Sequence, residues 1–243
     1  MSTPFVGEFV GTAVLVLLGD GVNANVLLKK SYAEGAGWMV ITTGWAFAVL
    51  FGVYAAIACG SSAAHLNPAV TIGMAVASGD YSKVSTFIPA QLLGGFAGAF
   101  LVWVFFYSHW KETPDQKTKL GIFCTGPAIR NLPSNFTSEV IATWVLVFGI
   151  GAIFSKGVTA ISPAGALGPY LVACLVWAIG LSLGGTEGYP INPARDLGPR
   201  LAHAVLPIAG KGGSNWGYAW LPVLAPLAGG AIAGLMIKAF HFF

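Results

Sequence analysis

Two Asn-Pro-Ala tripeptides, Asn67-Pro68-Ala69 and Asn192-Pro193-Ala194, each follow an apolar, glycine-rich stretch. Proline suits the first turn of a helix, where its missing N–H is not needed, and asparagine is a favoured residue just before it. Each tripeptide therefore marks the start of a short helix. Two such helices entering from opposite membrane faces would meet near the bilayer centre with their positive dipole ends at one point. A positive potential there disfavours cations, hydronium included, while the Asn67 and Asn192 amides donate hydrogen bonds to a passing hydroxyl or water. This chemistry suits a pore for neutral solutes. Arg195 directly follows the second tripeptide, and a guanidinium in a membrane segment is costly and stays charged at any physiological pH. Glu8 and Glu139 are carboxylates inside apolar segments, groups that by default suggest a proton or ion path. No nucleophile and base, and no metal cluster, can be assembled at the pore. An enzyme is not expected, and no cofactor is implied.

The elements that must position these residues belong to a membrane chain. Of 243 residues, 56% are hydrophobic and 9% charged, with 33 glycines and 14 prolines, a composition that excludes an ordinary soluble domain. The net charge of +3 is spread thinly, without the basic run that nucleic acid needs. Cys59, Cys124 and Cys174 lack metal-type spacing and read as buried free thiols. Long apolar segments run from about 5 to 27, 37 to 59, 84 to 107, 137 to 155, 166 to 184 and 218 to 240, each near the ~20 residues a bilayer requires. The first lacks a basic start and a cleavage site and is read as a retained span. Two stretches, about 67 to 77 and 192 to 203, are apolar enough for membrane depth but too short to cross. They are candidate half-helices.

The halves of the chain align. Glu8 in Gly7-Glu8-Phe9-Val10-Gly11-Thr12 matches Glu139 in Ser138-Glu139-Val140-Ile141-Ala142-Thr143, and the asparagines follow 59 and 53 residues later. A single channel domain, 1–243, is thus expected from a repeat at about 1–107, a polar connecting loop at about 108–136 and a second repeat at about 137–243. With three spans per repeat, the second must be inverted, which points to a solute site near the midplane. Gly7/Gly11, Gly94/Gly98 and Gly230/Gly234 have the spacing of helix crossings. Counting positive charges on the loops alone would put the N-terminus outside.

His65-Leu66-Asn67-Pro68-Ala69-Val70-Thr71 and Asn192-Pro193-Ala194-Arg195-Asp196-Leu197-Gly198-Pro199-Arg200 resemble the two signature segments of the aquaporin, or major intrinsic protein, family. The resemblance covers essentially the whole chain. It implies an all-α membrane protein, an aquaporin-like bundle of six transmembrane helices and two half-helices in an inverted repeat. It also implies a homotetramer with one pore per subunit in the lipid bilayer of the cell membrane, its termini cytoplasmic.

By the same resemblance, Asn67 and Asn192 form the pore centre, and Trp45, Gly180, Tyr189 and Arg195 fall on the selectivity filter. Phe47 is the rival to Trp45 if the register is anchored on the first Asn-Pro-Ala. Gly180 falls where water-selective members have histidine, a loss that widens the constriction, although glycine there equally suits helix packing. Trp45 and Tyr189 would then meet the C–H face of a polyol while Arg195 binds its hydroxyls. Asp196, Arg200 and Pro222-Val223 resemble the glycerol facilitators, which often carry phenylalanine at the Tyr189 position. Glu8 and Glu139 are expected to hold the loops before the half-helices, and His65 to pack beside the pore, with a pH-dependent gate as the alternative. The expected function is a passive channel for glycerol and other small uncharged solutes with water, excluding protons and ions. Dihydroxyacetone, urea and protonated lactic acid are further candidate solutes. The alternatives are a mainly water-selective aquaporin and an ion-coupled secondary transporter, which would need a titratable midplane site.

Overall fold

The computed structural model describes residues 2–162 and 164–243, the side chains of residues 164–166 excepted, so Met1 and Pro163 of the expected ranges lie outside it. The described residues form helices and loops, with no strand among them. The long helices are α1 Pro4–Leu27, α2 Trp38–Ala58, α4 Val84–Phe105, α6 Leu132–Ile153, α8 Ala164–Leu183 and α11 Leu221–Ala239. The half-helices are α3 Pro68–Ser78 and α9 Pro193–Val205, and shorter pieces are α5 Gln116–Phe123, α7 Lys156–Thr159 and α10 Trp216–Ala219. Helices α1, α2, α4 and α6, and the α10–α11 run Trp216–Ala239, are long and apolar enough to cross a membrane. Helix α8 has 20 residues, enough for a bilayer core of ~30 Å at about 1.5 Å per residue.

Local chemistry sets the ends. Thr3 caps α1 through Val6 N–H with Pro4 in the first turn, and α3 stops at Gly79, whose φ of 79° is the left-handed turn that ends helices. Helix α6 begins at Leu132, ahead of the expected 137, because Asn131 caps it through Ser134 N–H and Pro133 fits its first turn. The polar connecting loop is also more structured than expected. Asp115 caps α5, and Ile122 and Phe123 at its end are fully buried.

Polarity is inverted relative to a soluble protein. Phe47, Phe51, Phe105 and Leu235 face outward, while Glu8, Thr12, Asp20, Gln91, Glu139 and Thr143 have no exposure at all. Lipid satisfies no hydrogen bond, so polar groups turn inward to find partners. Small residues let the backbones close. A Cβ on Gly73 of α3 would lie 2.8 Å from the Gly230 carbonyl of α11, and one on Gly95 of α4 would lie 2.5 Å from the Ala194 carbonyl of α9. Each half-helix is thereby seated on the last long helix of the opposite half of the chain.

Candidate functional site

The two Asn-Pro-Ala segments are cross-locked. Asn67 Oδ1 accepts from Ala69 N–H at 2.8 Å, and Asn192 Oδ1 accepts from Ala194 and Arg195 N–H at 3.0 and 3.2 Å. Each side-chain amide then crosses to the other segment: Asn67 Nδ2 donates to Ile191 O at 2.7 Å, and Asn192 Nδ2 to Leu66 O at 2.8 Å. A primary amide carries two N–H groups. One per asparagine is consumed by the lock, and one remains beside the cavity that both residues line.

The carbonyls that close this lock sit on strained backbone. Ala64 and Leu66 have φ of 42° and 53°, and Tyr189 and Ile191 have 38° and 41°. These are the third and first residues before each asparagine. The left-handed region costs an L-residue about 1–2 kcal/mol and is most unusual for β-branched Ile191, so something must hold it. In the first half Glu8 does: Oε1 accepts from Ser61 Oγ at 2.6 Å and His65 N–H at 2.9 Å, and Oε2 from Leu66 N–H and Gln91 Nε2, both at 2.8 Å. In the second half Glu139 Oε1 accepts from Ile191 N–H at 2.5 Å and Thr143 Oγ1 at 3.1 Å. The two anchors are alike in position and unequal in strength.

A cavity of about 380 Å³ runs past these residues. Its apolar wall includes Trp45, Val49, Val53 and Ile57 of α2, Leu146 and Ile150 of α6, and Phe154 just past the end of α6. Both sets recur every fourth residue, so each forms one stripe down a helix. That spacing was visible in the sequence and marks the lumen. Trp45, Tyr189 and Arg195 all line the cavity, while Phe47, half exposed, lies on the outer surface of α2. The guanidinium of Arg195 sits over the Trp45 ring, 4.0 Å from its centroid, a cation–π arrangement.

Gly180 sits behind the Tyr189 ring. It does not line the cavity, and the space its missing side chain leaves is filled by Tyr189: a Cβ there would lie 2.8 Å from Tyr189 Cζ and 3.0 Å from Thr42 Cγ2. The Tyr189 ring also meets Trp38 edge to face at 5.8 Å, and Trp38 Nε1 donates to Gly180 O at 3.0 Å. Glycine here seats an aromatic ring rather than opening a gap. His65 lines the cavity with Nδ1 3.1 Å from Thr71 Oγ1 and its ring against Phe87.

Asp196 is fully buried outside the cavity lining. It receives Arg200 Nε at 2.9 Å and Thr125 N–H and Oγ1, both at 2.8 Å, while Arg200 also donates to the Ser214 and Thr125 carbonyls. Sequence reasoning singled out none of Ser61, Gln91, Asn23, Asp20 or Phe123. Trp45 Nε1 donates to Asn23 Oδ1 at 3.1 Å, Asn23 Nδ2 to Ile122 O at 3.3 Å, and Arg195 Nη1 to Phe123 O at 3.4 Å. The only local signal was that Asp20, Asn23 and Gln91 are polar residues inside apolar spans.

The arrangement offers a mostly apolar cavity with a few fixed donors, and among the described residues no cluster of histidine, cysteine or acidic side chains suits a metal ion. Its sequence matches the major intrinsic protein family over residues 1–237. It is 54% identical over 239 residues to glycerol uptake facilitator protein 3 of Lactiplantibacillus plantarum, covering 98% of this chain and 97% of that protein. It is 52% identical to a probable glycerol uptake facilitator protein of Thermotoga maritima, over 94% and 95% of the two chains. The aquaglyceroporin of Plasmodium falciparum superposes with a TM-score of 0.82 at 28% identity, over 96% of this chain and 94% of that one. With six long helices, two capped half-helices and an intervening cavity, the chain belongs to the major intrinsic protein family and is an integral membrane channel, not an enzyme.

Proposed function

We propose that the chain is a passive channel for glycerol and other small uncharged solutes, with water as a co-permeant. The observation that carries this reading is the cavity mouth, where the rings of Trp45 and Tyr189 share the lining with the Arg195 guanidinium. The rings suit the C–H face of a polyol and the guanidinium its hydroxyls. Deeper in, the unspent N–H groups of Asn67 and Asn192 serve a passing hydroxyl or water, while two helix N-termini repel cations. Gly180 contributes by seating Tyr189, Asp196 by holding Arg200 and Thr125 behind the mouth, and Glu8, Glu139 and His65 by fixing the loops. The channel is one domain of two inverted repeats, assembled as a homotetramer in the plasma membrane with cytoplasmic termini. Dihydroxyacetone, urea and protonated lactic acid fit the same chemistry.

Stopped-flow light scattering on proteoliposomes tests this, comparing osmotic water flux with glycerol influx. Glycerol influx well above that of empty vesicles is expected, and influx no greater than theirs would refute the proposal. One observation favours a second reading, a mainly water-selective channel: Tyr189 occupies the space beside Gly180. High water flux with background glycerol flux in the same vesicles would select it.

A further inference from the structure

Four charged side chains cluster at and behind the Arg195 end of the cavity: Asp20 on α1 and Arg195, Asp196 and Arg200 on α9. Two of them satisfy each other. Arg200 Nη2 lies 2.7 Å from Asp196 Oδ1, both side chains are fully buried, and Thr125 fills the second oxygen of Asp196. That leaves Asp20 and Arg195. Asp20 has no exposure, and neither of its oxygens accepts a hydrogen bond from any described residue. Arg195 Nη1 stands 3.9 Å away, and otherwise makes a single long hydrogen bond, to Phe123 O at 3.4 Å. A carboxylate buried at membrane depth is costly unless an opposite charge lies beside it, and the guanidinium of Arg195 has the same need.

We propose that Asp20 is the counter-charge and positioning residue of Arg195, so that the mouth of the pore carries no net charge and its ion selectivity depends on Asp20. The proposal rests on the reading of Arg195 as part of the pore lining. Asp20 lies behind the guanidinium rather than in the lumen, since Arg195 and Trp45 line the cavity and Asp20 does not. It therefore draws the guanidinium back against the Trp45 ring and leaves the other guanidinium donors for a permeant. The geometry makes the two residues a charge unit: removing either one alone leaves a bare charge of opposite sign beside the passage.

Full-length protein in liposomes carrying a potassium-sensitive dye tests the pairing through ion leak. R195Q leaves Asp20 alone, and potassium entry should rise about tenfold or more, the change that about 1.4 kcal/mol off a barrier produces. D20N/R195Q should return to wild-type tightness, and D20N alone should stay as tight to potassium as wild type. An R195Q channel as tight as wild type, or an equal potassium leak in R195Q and D20N/R195Q, would overturn the proposal. If the single variants insert poorly, the yield of folded protein decides: recovery in the double variant supports the pair, and equally poor yield in all three overturns it. Wild-type glycerol influx is read in the same vesicles, so failure of the solute assignment stays distinguishable from failure of the charge pair.

Discussion

Replacing Glu8 with alanine should damage this channel more than replacing Glu139, although the two are sequence equivalents. Glu8 is the acceptor for two backbone N–H groups, of His65 and Leu66. An orphaned buried donor costs about 1–3 kcal/mol, so Glu8→Ala should cost about 2–6 kcal/mol from these two alone. Of its other partners, Gln91 Nε2 has an alternative nearby, since it also donates to Thr71 Oγ1 at 3.1 Å, while the Ser61 O–H loses its acceptor. Glu139 serves one backbone N–H, that of Ile191, so Glu139→Ala should cost about 1–3 kcal/mol on the same scale. Function follows from strain. Ala64 and Leu66 are held at positive φ, and without Glu8 they relax, turning the Leu66 carbonyl away from Asn192 Nδ2, which it now receives at 2.8 Å. The lock between the two half-helices then opens at one side. Thermal inactivation of purified protein, followed by size-exclusion chromatography, reads the stability order, and stopped-flow water flux reads the pore. An E139A protein as heat-labile as E8A, or an E8A channel with wild-type flux per folded molecule, would refute the reasoning.

Three other measurements bear on the site. Gly180→His should suppress glycerol flux more than water flux, since the new side chain must displace a Tyr189 ring whose Cζ lies 2.8 Å from the first added carbon; equal loss of both would show that Gly180 only packs. Asn192→Ala should lower stability by about 1 kcal/mol or somewhat more, as loss of a helix cap does, and by more than Asn67→Ala, because Asn192 caps two N–H groups and Asn67 one; matched denaturation midpoints for the two variants would contradict this. Lactic acid uptake, if measurable, should track the neutral acid and fall about tenfold per pH unit above the pKa of the acid, because the neutral fraction falls by that factor and a mostly apolar passage does not replace the water around the anion; uptake that follows the anion concentration would contradict it.

Much of the architecture was legible because membrane chemistry writes itself plainly. Apolar runs of bilayer length, asparagine caps followed by proline, and small residues at fourfold spacing each have one dominant physical meaning. Helix α6 shows the limit of apolarity as a guide: its first turn is polar, and only the Asn131 cap and Pro133 announce it. The proposed site was legible where a residue would act through its own side chain, as at Asn67, Asn192 and Arg195. It was not legible where backbone acts. Leu66 and Ile191 offer carbonyls from left-handed conformations, and nothing in a leucine or isoleucine signals that. Nor does sequence reveal which aromatic fills which gap, since the fit of Tyr189 beside Gly180 depends on two segments nine residues apart meeting in space.

On the proposed pairing of Asp20 with Arg195, the charge arrangement sets where ions are refused. At 3.9 Å and an effective dielectric of ~20, Asp20 and Arg195 attract by about 4 kcal/mol, and a third charge farther away feels chiefly the small difference of their two fields. On that reading the mouth sorts solutes by shape and hydrogen bonding rather than by charge. At the midplane the balance differs. Helices α3 and α9 each bring about half a positive charge to their N-termini, and Asn67 and Asn192 cap them with neutral amides instead of carboxylates. Glu8 and Glu139 are turned to loop N–H and hydroxyl donors and lie outside the cavity lining. About one unit of positive potential thus remains at the centre, where the passage has already removed much of the water around a cation. Replacing Arg195 alone does not merely lower a barrier at the mouth: it exposes Asp20, which concentrates cations in front of that central barrier. The pairing makes a leak in R195Q, and its repair in D20N/R195Q, a consequence of where the compensating charge sits rather than of how wide the mouth becomes.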